Sequence, residues 1–363
     1  MNLQKKIFLV SSAPLLIIFV MVIFLTEIMV KNSLKENAAS LAGSMAETYG
    51  AKMEDFFGEY VTNLTTLAGN IAMLESNYHD NPDVNRKMVL DMHSTFLGDN
   101  GYFGGTVYFK EGAIMDGAPE QELFQYRVGG EESKTYASFE RQGVQNRAWY
   151  NAVSGNKAGL APAYTFNMNT MEINTNPSRA DIENPNNRYV ITFAVPITLT
   201  NGTVIGALTA DFRVDRLSDM IGAVKPFGTG YAMIVGPAGL VIASSNNAML
   251  GVDYRKIDYV EGFNPSDLVD TFLRGDHFDS YFYNKTLKRD MFASVVPAYA
   301  DSNIRPFGVV IAFFVDDAYA AVGMNAMLLF SRVMLALIIA IIAASTFIVR
   351  NNIIKYLNQF VAA

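Results

Sequence analysis

The chain has 363 residues, half of them hydrophobic, with 28 Lys and Arg against 35 Asp and Glu and a net charge of −7. The acidic balance argues against nucleic acid as a partner, and the absence of cysteine excludes disulfides and thiolate metal sites. This length suffices for two domains, each with its own core.

The first element is an apolar run at residues 7–30, IFLVSSAPLLIIFVMVIFLTEIMV, long enough to cross a hydrocarbon layer of about 30 Å. Lys5 and Lys6 precede it. The run exceeds a typical signal-peptide core, and Thr26-Glu27-Ile28 replaces a small-x-small cleavage pattern, so it reads as an uncleaved anchor. A second run, VMLALIIAIIAASTFIV at 333–349, is extended by Met327 to Phe330 and followed by Arg350 and Lys355. Basic flanks at both runs put residues 1–6 and 350–363 in the cytoplasm and the roughly 300 residues between them outside. The expected membrane-spanning helices cover 7–30 and 327–349. Residues 350–363 read as the start of a relay segment cut off from its output domain.

After the first span, Leu34, Leu41, Met45, Met53, Phe56, Tyr60, Leu64, Leu67, Ile71 and Leu74 recur mostly at spacings of three, four or seven. Those spacings predict one long amphipathic stalk helix over 31–82. Beyond it, short strands and turns occur twice. YFGGTVYFKEGAIM (102–115) and YAMIVGPAGLVIA (231–243) each read as strand, turn, strand. FAVPITLTNGTVIGALTADFRVD (193–215) pairs with ASVVPAYADSNIRPFGVVIAFFVD (293–316): Val195-Pro196 matches Val296-Pro297, Gly206 matches Gly308, and Ala210 matches Ala312. The expected fold is therefore α+β: two tandem PAS-like antiparallel α/β modules, 83–216 distal and 217–326 proximal, along a shared helix. In this alignment Asp211 falls opposite Phe313. A carboxylate replaces an interior ring, which is costly without a partner. The first module also carries an Asn-, Pro- and Thr-rich insertion at 167–188, read as a long polar loop, either a lid or a surface excursion.

Candidate binding residues cluster around NRAWYNAV (146–153), which holds the sole tryptophan. Arg147, Trp149, Tyr150, Tyr164 and Asp211, if they converge, combine a forked cation for a carboxylate, an anion for an ammonium, and aromatic walls. Those are the needs of a zwitterion. The alternative is a structural Arg147–Asp211 ion pair beside a core tryptophan. His79, His93 and His277 lie far apart without ligand spacing, so neither a metal nor any cofactor is expected. Gly228-Thr229-Gly230 precedes a strand rather than a helix and reads as a turn. No nucleophile–histidine pair or G-x-S-x-G elbow is present, and no enzymatic activity is expected.

The layout resembles the double Cache domain (dCache_1), the extracellular sensor of bacterial methyl-accepting chemotaxis proteins and related transmembrane receptors. The resemblance spans about residues 32–319 and rests on the two flanking spans, the long helix, the paired modules, and the phrases GYAMIVGPAGLVIA and GTVIGALTADF. Amino-acid-binding members are similar in an Arg-x-Trp-Tyr run, a later tyrosine and a late-strand aspartate, which fall here on Arg147, Trp149, Tyr150, Tyr164 and Asp211. The resemblance implies that Arg147 and the aromatic pair hold a ligand carboxylate end while Asp211 takes the amino group. The pattern's tyrosine before the arginine is Gln142 here, and its acidic residue after the second tyrosine is replaced by Thr165 and Phe166. The expectation is a homodimeric membrane receptor for a small extracellular ligand: an amino acid first, then an amine or another small metabolite. Receptor histidine kinases, diguanylate cyclases and a membrane-tethered solute-binding protein without output are the alternatives.

Overall fold

The structure, a computed structural model, describes residues 13–78, 81–99, 102–113, 121–128, 132–138, 148–153, 156–170, 172–258, 260–321 and 323–348. The basic flanks Lys5, Lys6, Arg350 and Lys355, the relay segment 350–363, Gln142 and Arg147 lie outside these. Two compact units form: residues 42–313, and residues 1–41 together with 314–363.

In the second of these units, the N-terminal half of helix α1 (Ala13–Tyr78) and helix α8 (Met324–Ile348) are long and apolar enough to cross a membrane. Their large side chains point outward, among them Ile17, Phe24 and Met29 on α1 and Leu329, Leu337 and Ile341 on α8. That arrangement suits lipid, where a helix satisfies its own backbone and needs only an apolar exterior. A short helix, α7 (Val315–Ala321), precedes α8.

The 42–313 unit is built on the rest of α1. Its inward seam runs through Ala42, Ala46, Gly50, Met53, Phe57, Val61, Leu64, Ala68 and Ile71, at spacings of three and four. The start of this seam differs from the stripe expected from the sequence: Leu41 is 48% exposed, and small residues face inward instead. The cause is close approach, since a Cβ on Gly50 would stand 2.8 Å from Val296 Cγ2. Larger side chains take over further along, where the Phe57 ring stacks on Phe307 at 4.5 Å and meets Phe193 at 5.3 Å.

Two antiparallel sheets lie along this helix. The first contains β1 (Gly104–Phe109), β2 (Gln121–Val128), β3 (Glu132–Ser138), β4 (Gly159–Asn167), β5 (Ile173–Asn174), β6 (Asn187–Thr198) and β7 (Val204–Arg213), in the order β3-β2-β1-β7-β6-β4-β5. Helix α2 (Pro82–Asp99) precedes it, short helices α3 (Ala148–Ala152) and α4 (Arg179–Glu183) interrupt it, and α5 (Val214–Gly222) follows. The second sheet contains β8 (Tyr231–Val235), β9 (Val241–Ser244), β10 (Val260–Glu261), β11 (Phe278–Asn284), β12 (Arg289–Ala298) and β13 (Phe307–Phe314), in the order β10-β11-β12-β13-β8-β9, with helix α6 (Pro265–Leu273). Read from its other edge, the second order is β9-β8-β13-β12-β11-β10, which repeats β2-β1-β7-β6-β4 of the first; the edge differs, since β5 follows β4 in the chain while β10 precedes β11. The sequence repeat is thus a repeat of topology. At its centre Gly206 passes so close to β1 that an added Cβ would lie 2.0 Å from the Tyr108 carbonyl oxygen.

The 167–188 insertion is ordered by its own polar chemistry. Asn167 Oδ1 accepts from the amides of Asn169 and Thr170, and Ser178 and Asp181 form a capping box at the start of α4. Met168 packs on the aromatic cluster of Phe103, Tyr126 and Phe166, and the insertion also reaches the second module. Arg179 Nη1 donates to the Ala248 carbonyl at 3.3 Å, and a Cβ on Gly251 would fall 2.2 Å from Ile182 Cδ1.

A buried carboxylate and an aromatic wall on one sheet face

Asp211 sits near the end of β7, opposite Gly104 of β1 and Thr192 of β6. It is 2% exposed. Thr192 Oγ1 donates to its Oδ1 at 2.5 Å and lies 3.2 Å from the Tyr164 hydroxyl, and that hydroxyl is a second hydrogen-bond partner of the carboxylate. A threonine hydroxyl has one proton to give; committed to Asp211, it leaves the tyrosine as the other donor. Burial pushes the Asp211 carboxyl up to about 6, with the Thr192 and Tyr164 hydroxyls pulling it back. Two neutral donors do not replace the water a carboxylate gives up. Among the described residues no cation forms an ion pair with it.

Trp149 and Tyr150 lie on α3. Trp149 packs with Tyr108, Val153, Ala161, Ala194 and Ala207, and Tyr150 leans on the same cluster. Tyr108 is the shared neighbour, its ring 5.8 Å from Trp149 and 5.7 Å from Tyr150. Small alanines on β4, β6 and β7 leave room for these rings. Strand alternation puts Ala207, Thr209 and Asp211 on one face of β7, and Thr192 and Ala194 on the matching face of β6. The carboxylate and the aromatic wall therefore share a face, separated by two to four residues along the strands, roughly 7–13 Å.

The sequence-predicted residues thus fall into two neighbouring groups: Asp211 with Tyr164, and Trp149 with Tyr150. Arg147 precedes α3 directly in sequence but lies outside the described residues. Thr192 and Tyr108 were not anticipated. Thr192 was within reach, since the hairpin register opposes it to Asp211; Tyr108 was not, because one buried tyrosine in a strand looks like any other. Thr165 and Phe166, where an acidic residue was expected, are both buried, and Phe166 joins an aromatic cluster with Phe103 and Tyr126. In the second module the sequence-aligned Phe313 is packed by Phe227 and Phe292, at 4.9 and 5.4 Å. Strand alternation, however, puts it on the face that carries Phe307 toward α1, whereas Asp211 lies on the face away from α1. Among the described residues no group of three or more His, Asp or Glu side chains could hold a metal ion.

Tandem sheets of similar topology on one long helix, with a buried carboxylate on a strand of the first, define a two-module fold. Residues 26–322 match the Cache domain family model, dCache_1, and the chain belongs to that family. The fold is that of several solved sensory domains. The periplasmic sensory domain of the Campylobacter jejuni chemoreceptor Tlp1 superposes with a TM-score of 0.58 at 10% identity, covering 79% of this chain and 98% of that one. The extracellular domain of a protein described as a histidine kinase, mmHK1S-Z2, gives 0.55 at 14% identity, covering 78% and 98%. The ligand-binding domain of the Campylobacter jejuni chemoreceptor Tlp3, solved in complex with L-valine, gives 0.51 at 14% identity, covering 79% and 97%. No curated protein sequence is a significant match.

Proposed function

We propose that this chain is the sensing part of a transmembrane receptor. Its membrane-distal module, the first sheet with α3, binds a small ligand bearing an ammonium group, an α-amino acid before an amine. The observation that carries this reading is Asp211: a buried carboxylate held by two hydroxyls, with no cation paired to it among the described residues. A ligand ammonium beside it would supply the missing charge, and Trp149, Tyr150 and Tyr108 would form the walls. Arg147 is assigned to the ligand carboxylate on sequence grounds. Each charge-assisted contact contributes about 1.5–3 kcal/mol, so three or so would bring affinity into the micromolar range, near −8 kcal/mol. The valine bound by Tlp3 supports the same ligand class.

The two apolar helices and the basic residues that flank them in sequence support placement of residues 31–326 outside the cytoplasm. Signalling would run through the second apolar helix to a chemoreceptor-type output, with a kinase or cyclase output as the alternative. A thermal-shift screen of the full chain against the common amino acids and amines tests the reading. It predicts at least one stabilising hit that is lost in both Arg147→Ala and Asp211→Ala. Binding that survives both substitutions contradicts it.

A further inference from the structure

A second hollow lies away from Asp211, where the two modules meet. Its volume is about 240 Å³, room for roughly eight waters at 30 Å³ each. Ile191 of β6, Ile242 of β9 and Phe307 of β13 form the floor, and all three are buried. Pro162, Ala238 and Arg305 form the rim and are exposed. Arg305 is the sole charged residue among those lining the hollow. Among the described residues it makes no ion pair.

The hollow is therefore apolar at depth and cationic at the mouth. Apolar walls disfavour a wholly polar occupant, because its groups would lose water without gaining partners. A guanidinium at the rim favours a planar anion that it can grip with two N–H groups. The volume falls below that of drug-sized pockets, which limits the occupant to a tail of a few carbons. We propose that this inter-module hollow is a second ligand site, for a short-chain aliphatic carboxylate bound tail inward with its carboxylate on Arg305.

The site shares its wall with the first one. Strand β6 turns Thr192 toward Asp211, while the adjacent Ile191, on the opposite face, floors the hollow. Strand β4 lines the hollow through Leu160, Pro162 and Ala163 and carries Tyr164 immediately afterward. Occupancy of the hollow would thus press on the strands that position the Asp211 donors, and any coupling between the sites would be reciprocal. The assignment itself needs no ligand at Asp211.

The test is isothermal titration of the full chain in nanodiscs with hexanoate, whose eight non-hydrogen atoms suit the volume, and with hexanamide as the uncharged control. For a ligand of this size the expected Kd is about 1 mM or tighter. Hexanamide and the Arg305→Gln variant should each bind about tenfold more weakly or worse. Ala238→Trp, which plugs the rim from an exposed turn, should abolish binding, whereas Asp211→Asn, which reaches the hollow only through the shared strands, should retain it. The proposal is overturned by no binding of hexanoate at about 10 mM, by equal binding of hexanamide, or by binding that persists in both rim variants. Loss in Asp211→Asn alone would place hexanoate in the distal site and also overturn it.

Discussion

Asp211 and His93 are buried titratable groups with opposite effects on stability. The Asp211 carboxyl is raised by burial to about 6, so between pH 4 and 6 the native chain keeps a proton that the unfolded chain has lost. Stability contributed by this residue falls as pH rises through that window, and the full cost is present above about 6. His93 is lowered by burial to about 4, against the pull of its hydrogen bond with Gln125. Gln125 Nε2 donates to the Leu90 carbonyl, which makes Oε1 the acceptor and Nδ1 of His93 the donor at 2.6 Å. Here the unfolded chain binds the extra proton, so stability is lost as pH falls from about 6.5 toward 4. The two slopes oppose each other in wild type, and a difference experiment separates them. Asp211→Asn should raise ligand-free stability by up to about 3 kcal/mol above pH 6 and by nothing near pH 4, measured by thermal unfolding across pH. For a ligand whose ammonium pairs with ionised Asp211, affinity should fall about tenfold per pH unit below 6. Titration calorimetry of the best amino-acid hit checks this, and a flat profile would mean the carboxyl stays protonated in the complex.

At the scale of elements, glycines and small residues set distances that the hydrophobic pattern did not reveal. The paired hairpins β6–β7 and β12–β13 were legible because Val-Pro, Gly and Ala recur in register, but that alignment misplaces the faces: Asp211 points away from α1 while the aligned Phe313 lies on the α1 side. The seam of α1 was legible only in its outer half. Ala42, Ala46 and Gly50 face inward because a sheet comes within contact of the helix, and closeness between distant segments leaves no local periodicity. For the same reason the 167–188 insertion was readable as polar but not as a strap between modules, since its partners Ala248 and Gly251 lie some seventy residues on. Gly206→Ala should cost about 2 kcal/mol or more, because the new methyl meets backbone that cannot move without breaking the β1–β7 ladder. Gly251→Ala combines a φ of +72° with the Ile182 contact and should cost about 1–3 kcal/mol. Ile182→Ala in that background should recover part of the loss, read as non-additivity in a double-mutant cycle. Additive costs would mean that the strap and the second module do not press on each other.

Across the whole molecule, one helix serves both sheets, and their aromatic contacts converge on it. Phe57 touches Phe193 of the first sheet and Phe307 of the second, and Glu54 accepts the Tyr299 amide at 3.0 Å. Strand β13 continues in sequence through α7 into α8, so a shift of the second sheet has a covalent route to the second apolar helix. A ligand can move such an equilibrium only by its preference for one state; a hundredfold preference provides about 2.7 kcal/mol. In the proposed reading that preference originates where the carboxylate of the first module would meet a ligand ammonium, and direct discrimination of the amino group tests it best. The full chain should be titrated with its best amino-acid hit and with the matching α-hydroxy acid, which keeps the carboxylate and side chain but lacks the ammonium. The account predicts that the hydroxy acid binds at least about a hundredfold more weakly to wild type and that Asp211→Asn erases the difference. Equal affinity of wild type for both compounds would contradict it.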